Sequence, residues 1–192
     1  MRKFLAVLTL AFALPAFAAD SAARVREGIA LFDQQKYDEA IAVFQSILKE
    51  EPQNADALYE LGLTYAAKGD FARCRSTLES ATHIQGPVQK LIYSVLGSCL
   101  DELGETKKSI AAMRKGLELA PGDPNLSFNL AVSLSREGKN DEAIALLKQD
   151  LEARPGHVSG HYALAKLFDA QGFRAAAVIE YLRRELQDSN AR

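Results

Sequence analysis

The chain has no tryptophan, only two cysteines and only six prolines in 192 residues. Two thiols are too few to staple a disulfide-built scaffold, so the fold must rest on an apolar core. There is no excess of basic residues either: 23 Lys and Arg face 25 Asp and Glu. The cations are scattered, without the basic footprint that neutralising a phosphate backbone requires, which excludes DNA and RNA as partners. No nucleophile motif and no phosphate loop are present, and the carboxylates are spread as solvated faces, so the sequence does not read as an enzyme and implies no cofactor. What it does have is ordinary for a folded protein: 48% hydrophobic and 25% charged residues.

One apolar stretch stands out, at the start. Arg2-Lys3 is followed by Phe4 to Leu14, apolar apart from Thr9, then by Pro15 and by Ala16-Phe17-Ala18 with the small-x-small pattern of a cleavage site. A membrane anchor is the rival reading, but about a dozen residues fall short of the roughly 20 that span a bilayer. Residues 1–18 are therefore expected to be a signal peptide removed near Ala18, with 19–192 exported, most plausibly to a bacterial periplasm, and not inserted in the membrane. Without Arg2 and Lys3, 21 basic residues face 25 acidic ones, a formal net charge of −4.

The rest of the chain repeats itself. Small residues return at Gly28, Gly62, Gly97, Ala131 and Ala165, in steps of 34, 35, 34 and 34. A second column at Ala40, Cys74, Ser109, Ala143 and Ala177 keeps the same register. Two columns with one period near 34 residues point to stacked helical hairpins. The units fall at Ser21–Asn54, Ala55–Val88, Lys90–Asp123, Pro124–His157 and Val158–Ala191. Within the second, Leu58, Leu61, Gly62 and Tyr65 have the i, i+3, i+4, i+7 spacing of one helix face. Breakers follow at Gln35-Lys36, Gly69, Gly104, Gly138 and Gly172, and second helices such as Ala40/Ile41/Phe44/Ile47/Leu48 stop before Pro52, Pro121 and Pro155. A hairpin of about 34 residues cannot bury enough core alone, so each must cover its neighbour.

These columns resemble the tetratricopeptide repeat, through Leu61, Gly62, Tyr65, Phe71 and Ala81 in the second unit and Gly28, Tyr37, Ala40, Phe44 and Pro52 in the first. The later units match through Tyr93, Leu96, Gly97, Gly104 and Pro121, then Leu130, Gly138, Ala143 and Pro155, then Leu164, Gly172 and Ala177. The resemblance covers residues 21–191 and implies an all-α right-handed superhelical solenoid of five hairpins. Arg24 and Glu27 depart from the aromatic and Leu usual there, and Gly86 replaces a closing Pro. Arg184 and Glu185 put polar residues in the last unit where others are mostly apolar, which reads as a cap.

The same resemblance implies docking of another protein on a concave face lined by the first helices. The positions assigned to that groove are Val25, Ile29, Phe32, Tyr59, Leu63, Ser94, Ser98, Asp101, Phe128, Asn129, Val132, Tyr162 and Lys166. Val25, Ile29, Tyr59, Leu63, Phe128, Asn129, Val132 and Tyr162 are its core, suited to an amphipathic helix or extended apolar segment of a partner. The alternative is that these side chains pack between helices. Val25, Tyr59, Ser94, Phe128 and Tyr162 stand where relatives that clamp a terminal carboxylate carry Lys, so that mode is not expected. The function expected is a non-enzymatic adaptor or assembly factor of the cell envelope; the alternative is a self-assembling, homo-oligomeric module. Cys74 and Cys99 form a candidate disulfide, or two buried thiols. His157 and His161, four apart, lack further ligands, and no metal site is expected.

Overall fold

In the computed structural model the backbone is described for residues 13–190 and the side chains for residues 20–184 and 186. The side chains of the expected signal peptide lie outside the described residues. Ten helices follow one another among the described residues, with no strand: α1 (Ala13–Asp33), α2 (Tyr37–Glu50), α3 (Ala55–Ala67), α4 (Phe71–Ala81), α5 (Gln89–Glu102), α6 (Thr106–Leu119), α7 (Pro124–Arg136), α8 (Asn140–Ala153), α9 (Val158–Ala170) and α10 (Arg174–Asn190). The chain divides between Val88 and Gln89 into two compact units, the first holding α1 to α4 and the second α5 to α10. This is an all-α helical repeat fold.

Each hairpin turns on the same local chemistry. Gly69, Gly104, Gly138 and Gly172 have φ between 74° and 81°, and Gln35 takes the corresponding place with φ 60°. The next residue's N–H then reaches the carbonyl five positions back: Lys36 to Leu31, Asp70 to Tyr65, Glu105 to Leu100, Lys139 to Leu134 and Phe173 to Phe168, all within 2.8–2.9 Å. A left-handed residue followed by this bond ends a helix and satisfies carbonyls that would otherwise be orphaned. Helix starts are fixed by side chains where polar residues stand: the Asn54 carboxamide accepts from the Ala57 N–H, and Asp123 accepts from Asn125 and Leu126 just ahead of Pro124.

The repeated small residues are sockets. A Cβ on Gly28 would lie 2.4 Å from the Phe44 ring, one on Gly62 2.5 Å from Leu78, and one on Gly97 2.7 Å from Met113. In each case the second helix of a hairpin inserts a large side chain where the first helix has none. Phe44, Leu78 and Met113 are all fully buried. In the first unit α1 packs on α2 and α3, and α3 on α4; in the second, successive helices pack from α5 to α10, while α7 also touches α5 and α9. Ile110, Met113, Leu130, Leu134, Leu147 and Leu164 make one continuous core there. Arg24, which departs from the usual aromatic, ties α1 to α2 by donating to Glu50 at 2.9 Å and to Ser46 at 2.8 Å.

Candidate partner-binding site

In the first unit the expected groove residues come from α1 and α3. Ile29, Tyr59 and Leu63 are half-buried, but Val25 is only 8% exposed. Val25 is thus a correction to the groove. α1 packs against both α2 and α3, and a short branched side chain at this register stays within the helix seam, whereas the longer Tyr59 reaches out. Burial, helped by Glu60, raises the Tyr59 phenol above its usual value. Burial also raises the Glu60 carboxyl, with Asp56 and Asp33 adding repulsion. This face of the first unit is apolar with an acidic margin.

In the second unit the row is α5, α7 and α9. Phe128 on α7 is half-buried and meets the His157 ring edge-on, with centroids 4.8 Å apart. His157 is itself held: its Nδ1 lies 2.5 Å from an oxygen of the fully buried Asp150, whose other oxygen accepts from Arg154 Nε at 2.8 Å. Arg154 also donates to the Pro124 carbonyl at 3.0 Å and to Asn125 at 3.2 Å, so the α8–α9 turn is bound to the start of α7. Phe128 therefore stands on a fixed support. Val132 lines a cavity of about 510 Å³ with Ala163, Leu167 and Ala170, bounded by Arg136 and Lys166. Asn129 beside it is half-buried.

Tyr162 is the one exposed residue among the eight at the core of the expected groove, 43% exposed. Its ring meets that of Tyr181 at a tilt of 55°, with centroids 6.1 Å apart, and lies under Lys166 at 5.5 Å and Arg184 at 5.2 Å. Arg184, expected to be part of a polar cap, is used here as a cation over an aromatic face. Across α5 and α7, Arg136 pairs with Asp101. The other oxygen of Asp101 is buried beneath this row. The pair links residues 35 apart, one repeat on, and was accessible to sequence reasoning only as two opposite charges in neighbouring columns.

The other sequence candidates fall elsewhere. His161 does not join His157: its Nδ1 is 2.6 Å from Glu180 and its Nε2 donates to the Pro155 carbonyl at 2.8 Å. Among the described residues no group of three metal-ligating side chains occurs, and no helix is long and apolar enough to cross a membrane. Cys74 on α4 and Cys99 on α5 are each buried, and neither is a free thiol. Of the two polar residues expected to cap the last hairpin, Arg184 lies over Tyr162 and the side chain of Glu185 is outside the described residues; α10 also leaves Val178, Ile179, Leu182 and Leu186 at least half exposed.

The tetratricopeptide repeat family profile matches residues 31–99 and 100–167. Among curated proteins, the chain is 29% identical over 108 residues to the BBSome complex member BBS4 homolog of Drosophila melanogaster, covering 56% of this chain and 22% of that protein. It is 28% identical over 96 residues to cellulose synthase operon protein C of Komagataeibacter sucrofermentans, covering 50% of this chain and 7% of that protein. The chain thus spans less than a quarter of the length of either relative. Among solved structures it is similar to MamA, with a TM-score of 0.78 at 21% identity over 85% of this chain and 95% of that one. It is also similar to YrrB, a TPR protein with an unusual peptide-binding site, with a TM-score of 0.71 at 20% identity over 85% and 84% of the two chains. Likeness at such identity concerns the fold.

Proposed function

Since the chain belongs to the tetratricopeptide repeat family, we propose that it is a non-enzymatic adaptor or assembly factor of the bacterial cell envelope. It holds a segment of another protein against its first-helix face. The observation that carries this reading is the surface built by α5, α7 and α9. Phe128 and Tyr162 are ring anchors with fixed orientation, the cavity beside Val132 accepts an apolar side chain, and Arg136 and Lys166 stand at its rim. Rigid aromatic anchors around an apolar pocket are what concentrates binding energy in a peptide site. On the first unit, Ile29, Tyr59 and Leu63 offer a second apolar strip.

Export rests on Arg2-Lys3, the apolar run and Ala16-Phe17-Ala18. Sequencing the N-terminus of the protein from the periplasmic fraction is expected to read from Ala19, and an intact Met1 in the membrane fraction defeats that placement. The groove is tested by a photo-crosslinking residue in live cells. At Val132 or Tyr162 it should capture one partner repeatedly, and at Ala111, exposed on α6, it should not. Tyr59→Ala/Phe128→Ala should lose that capture while keeping its helical circular dichroism; retained capture puts the docking surface elsewhere. A self-assembly reading is favoured by a separate observation, the apolar side chains exposed on α10.

A further inference from the structure

The ion pair that spans α5 and α7 has no counterpart one repeat on. The residues that follow Asp101 and Arg136 in their columns are Ser135 and Ala170, and both line the cavity of about 510 Å³ beside Val132. Ala163, on the same wall, follows Glu60, Val95 and Asn129 in its own column. Where α5 and α7 are bridged by long charged side chains, α7 and α9 are left apart by short ones. The cavity lies between two adjoining hairpins, each with both of its helices in place, and not on the outer face of the last. Its floor is apolar, since Leu147 and Leu167 are buried beneath it.

The charge at its mouth is of one sign. Among the residues that line the cavity only Arg136 and Lys166 are charged. Neither belongs to the repeat pattern: Lys166 stands in a column with Ile29, Leu63, Ser98 and Val132, and Arg136 in one with Asp33, Ala67, Glu102 and Ala170. Arg136 gives one edge to Asp101, which is 8% exposed, but keeps half of its own side chain in solvent. Lys166 is exposed, rests over the Tyr162 ring, and has no carboxylate partner among the described residues. Asp169, the acidic residue nearest to it along α9, is outside the lining.

On the docking reading given above, we infer that the segment held here is extended and acidic. One aliphatic side chain enters the cavity, and the carboxylate of an Asp or Glu within about two positions of it meets Arg136 and Lys166, because neighbours in an extended chain are roughly 3.3 Å apart. The apolar floor supplies the anchor. The two cations select against neutral and basic segments that would fit the floor equally well, since like charges brought together at the rim repel.

The probe is a random peptide library displayed on phage without a free C-terminus, selected on the immobilised full chain and counter-selected on Val132→Arg, which fills the cavity. The enriched segments are expected to share an aliphatic residue with an Asp or Glu close to it. A synthetic peptide of that sequence should bind Lys166→Glu about tenfold more weakly than wild type, with unchanged circular dichroism because Lys166 is exposed. Replacing the peptide's acid by Lys should restore binding to Lys166→Glu and abolish it on wild type. Enriched segments that are neutral or basic overturn the charge assignment and leave the docking reading standing. No enrichment over Val132→Arg overturns both. An acidic peptide indifferent to Lys166→Glu binds elsewhere and overturns the inference. So does a homodimer in sedimentation velocity that both Val132→Arg and Lys166→Glu dissociate, since the cavity then holds a second copy of this chain.

Discussion

At the scale of single residues, the fold turns on places where side chains are absent or misfit. Gln35 is the one turn residue among five that carries a Cβ at positive φ. Left-handed backbone costs a non-glycine residue about 1 kcal/mol, so Gln35→Gly is expected to raise stability by about that amount, read as a shifted denaturation midpoint. The sockets behave oppositely. Gly62→Ala drives a methyl into Leu78 and should cost about 1–3 kcal/mol despite alanine's better helix propensity. Gly97→Ala meets the more adaptable Met113 and should cost less. Glu60 adds a pH signature. Because burial and then Asp56 and Asp33 raise its folded-state value, the fold keeps this contribution at low pH and loses it as pH rises through that value. Glu60→Gln should therefore be more stable than wild type at neutral pH, by about 0.5 kcal/mol for a half-exposed carboxyl, and equal to it below the ordinary carboxylate range. A thermal melt series in pH reads the difference.

At the scale of elements, the hairpins differ in how firmly they are closed. Asp150 joins Arg154 and His157 without exposure of its own, and through them the α8–α9 turn holds α7 and Phe128. Asp150→Ala leaves the partly exposed Arg154 guanidinium without its carboxylate and should cost about 1–3 kcal/mol, with loss of partner capture because the Phe128 support goes with it. Ala143→Leu, at a fully buried position, should cost about 1–3 kcal/mol, while Lys139→Ala in the exposed turn stays within about 0.5 kcal/mol. The elements themselves were legible from two columns of small residues, because a socket and its knob must recur at the repeat period. Side-chain exposure was less so. Val25 and Tyr59 share a register position, yet only side-chain length decides which of them reaches solvent. The apolar exposure of α10 was not legible from Arg184 and Glu185, because Val178, Ile179, Leu182 and Leu186 fall in other columns of the repeat. The pairing of Asp101 with Arg136 depends on two helices a repeat apart.

At the scale of the molecule, the chain is two units, joined through residues 82–88, where His83, Gln85, Gly86 and Pro87 are exposed. Brief digestion with a broad-specificity protease should cut there before it cuts within a hairpin, giving two helical fragments resolved under reducing conditions. Without reductant, the denatured chain should take up no thiol reagent, since neither cysteine is free. The Gly97 socket carries a last consequence. Its knob, Met113, is the one methionine after Met1 and is 1% exposed. The sulfur lies 3.9 Å from the buried hydroxyls of Ser109 and Ser133, and peroxide reaches it only when the second unit opens. The mass of the chain after a timed exposure to oxidant is thus a clock for how often that unit breathes.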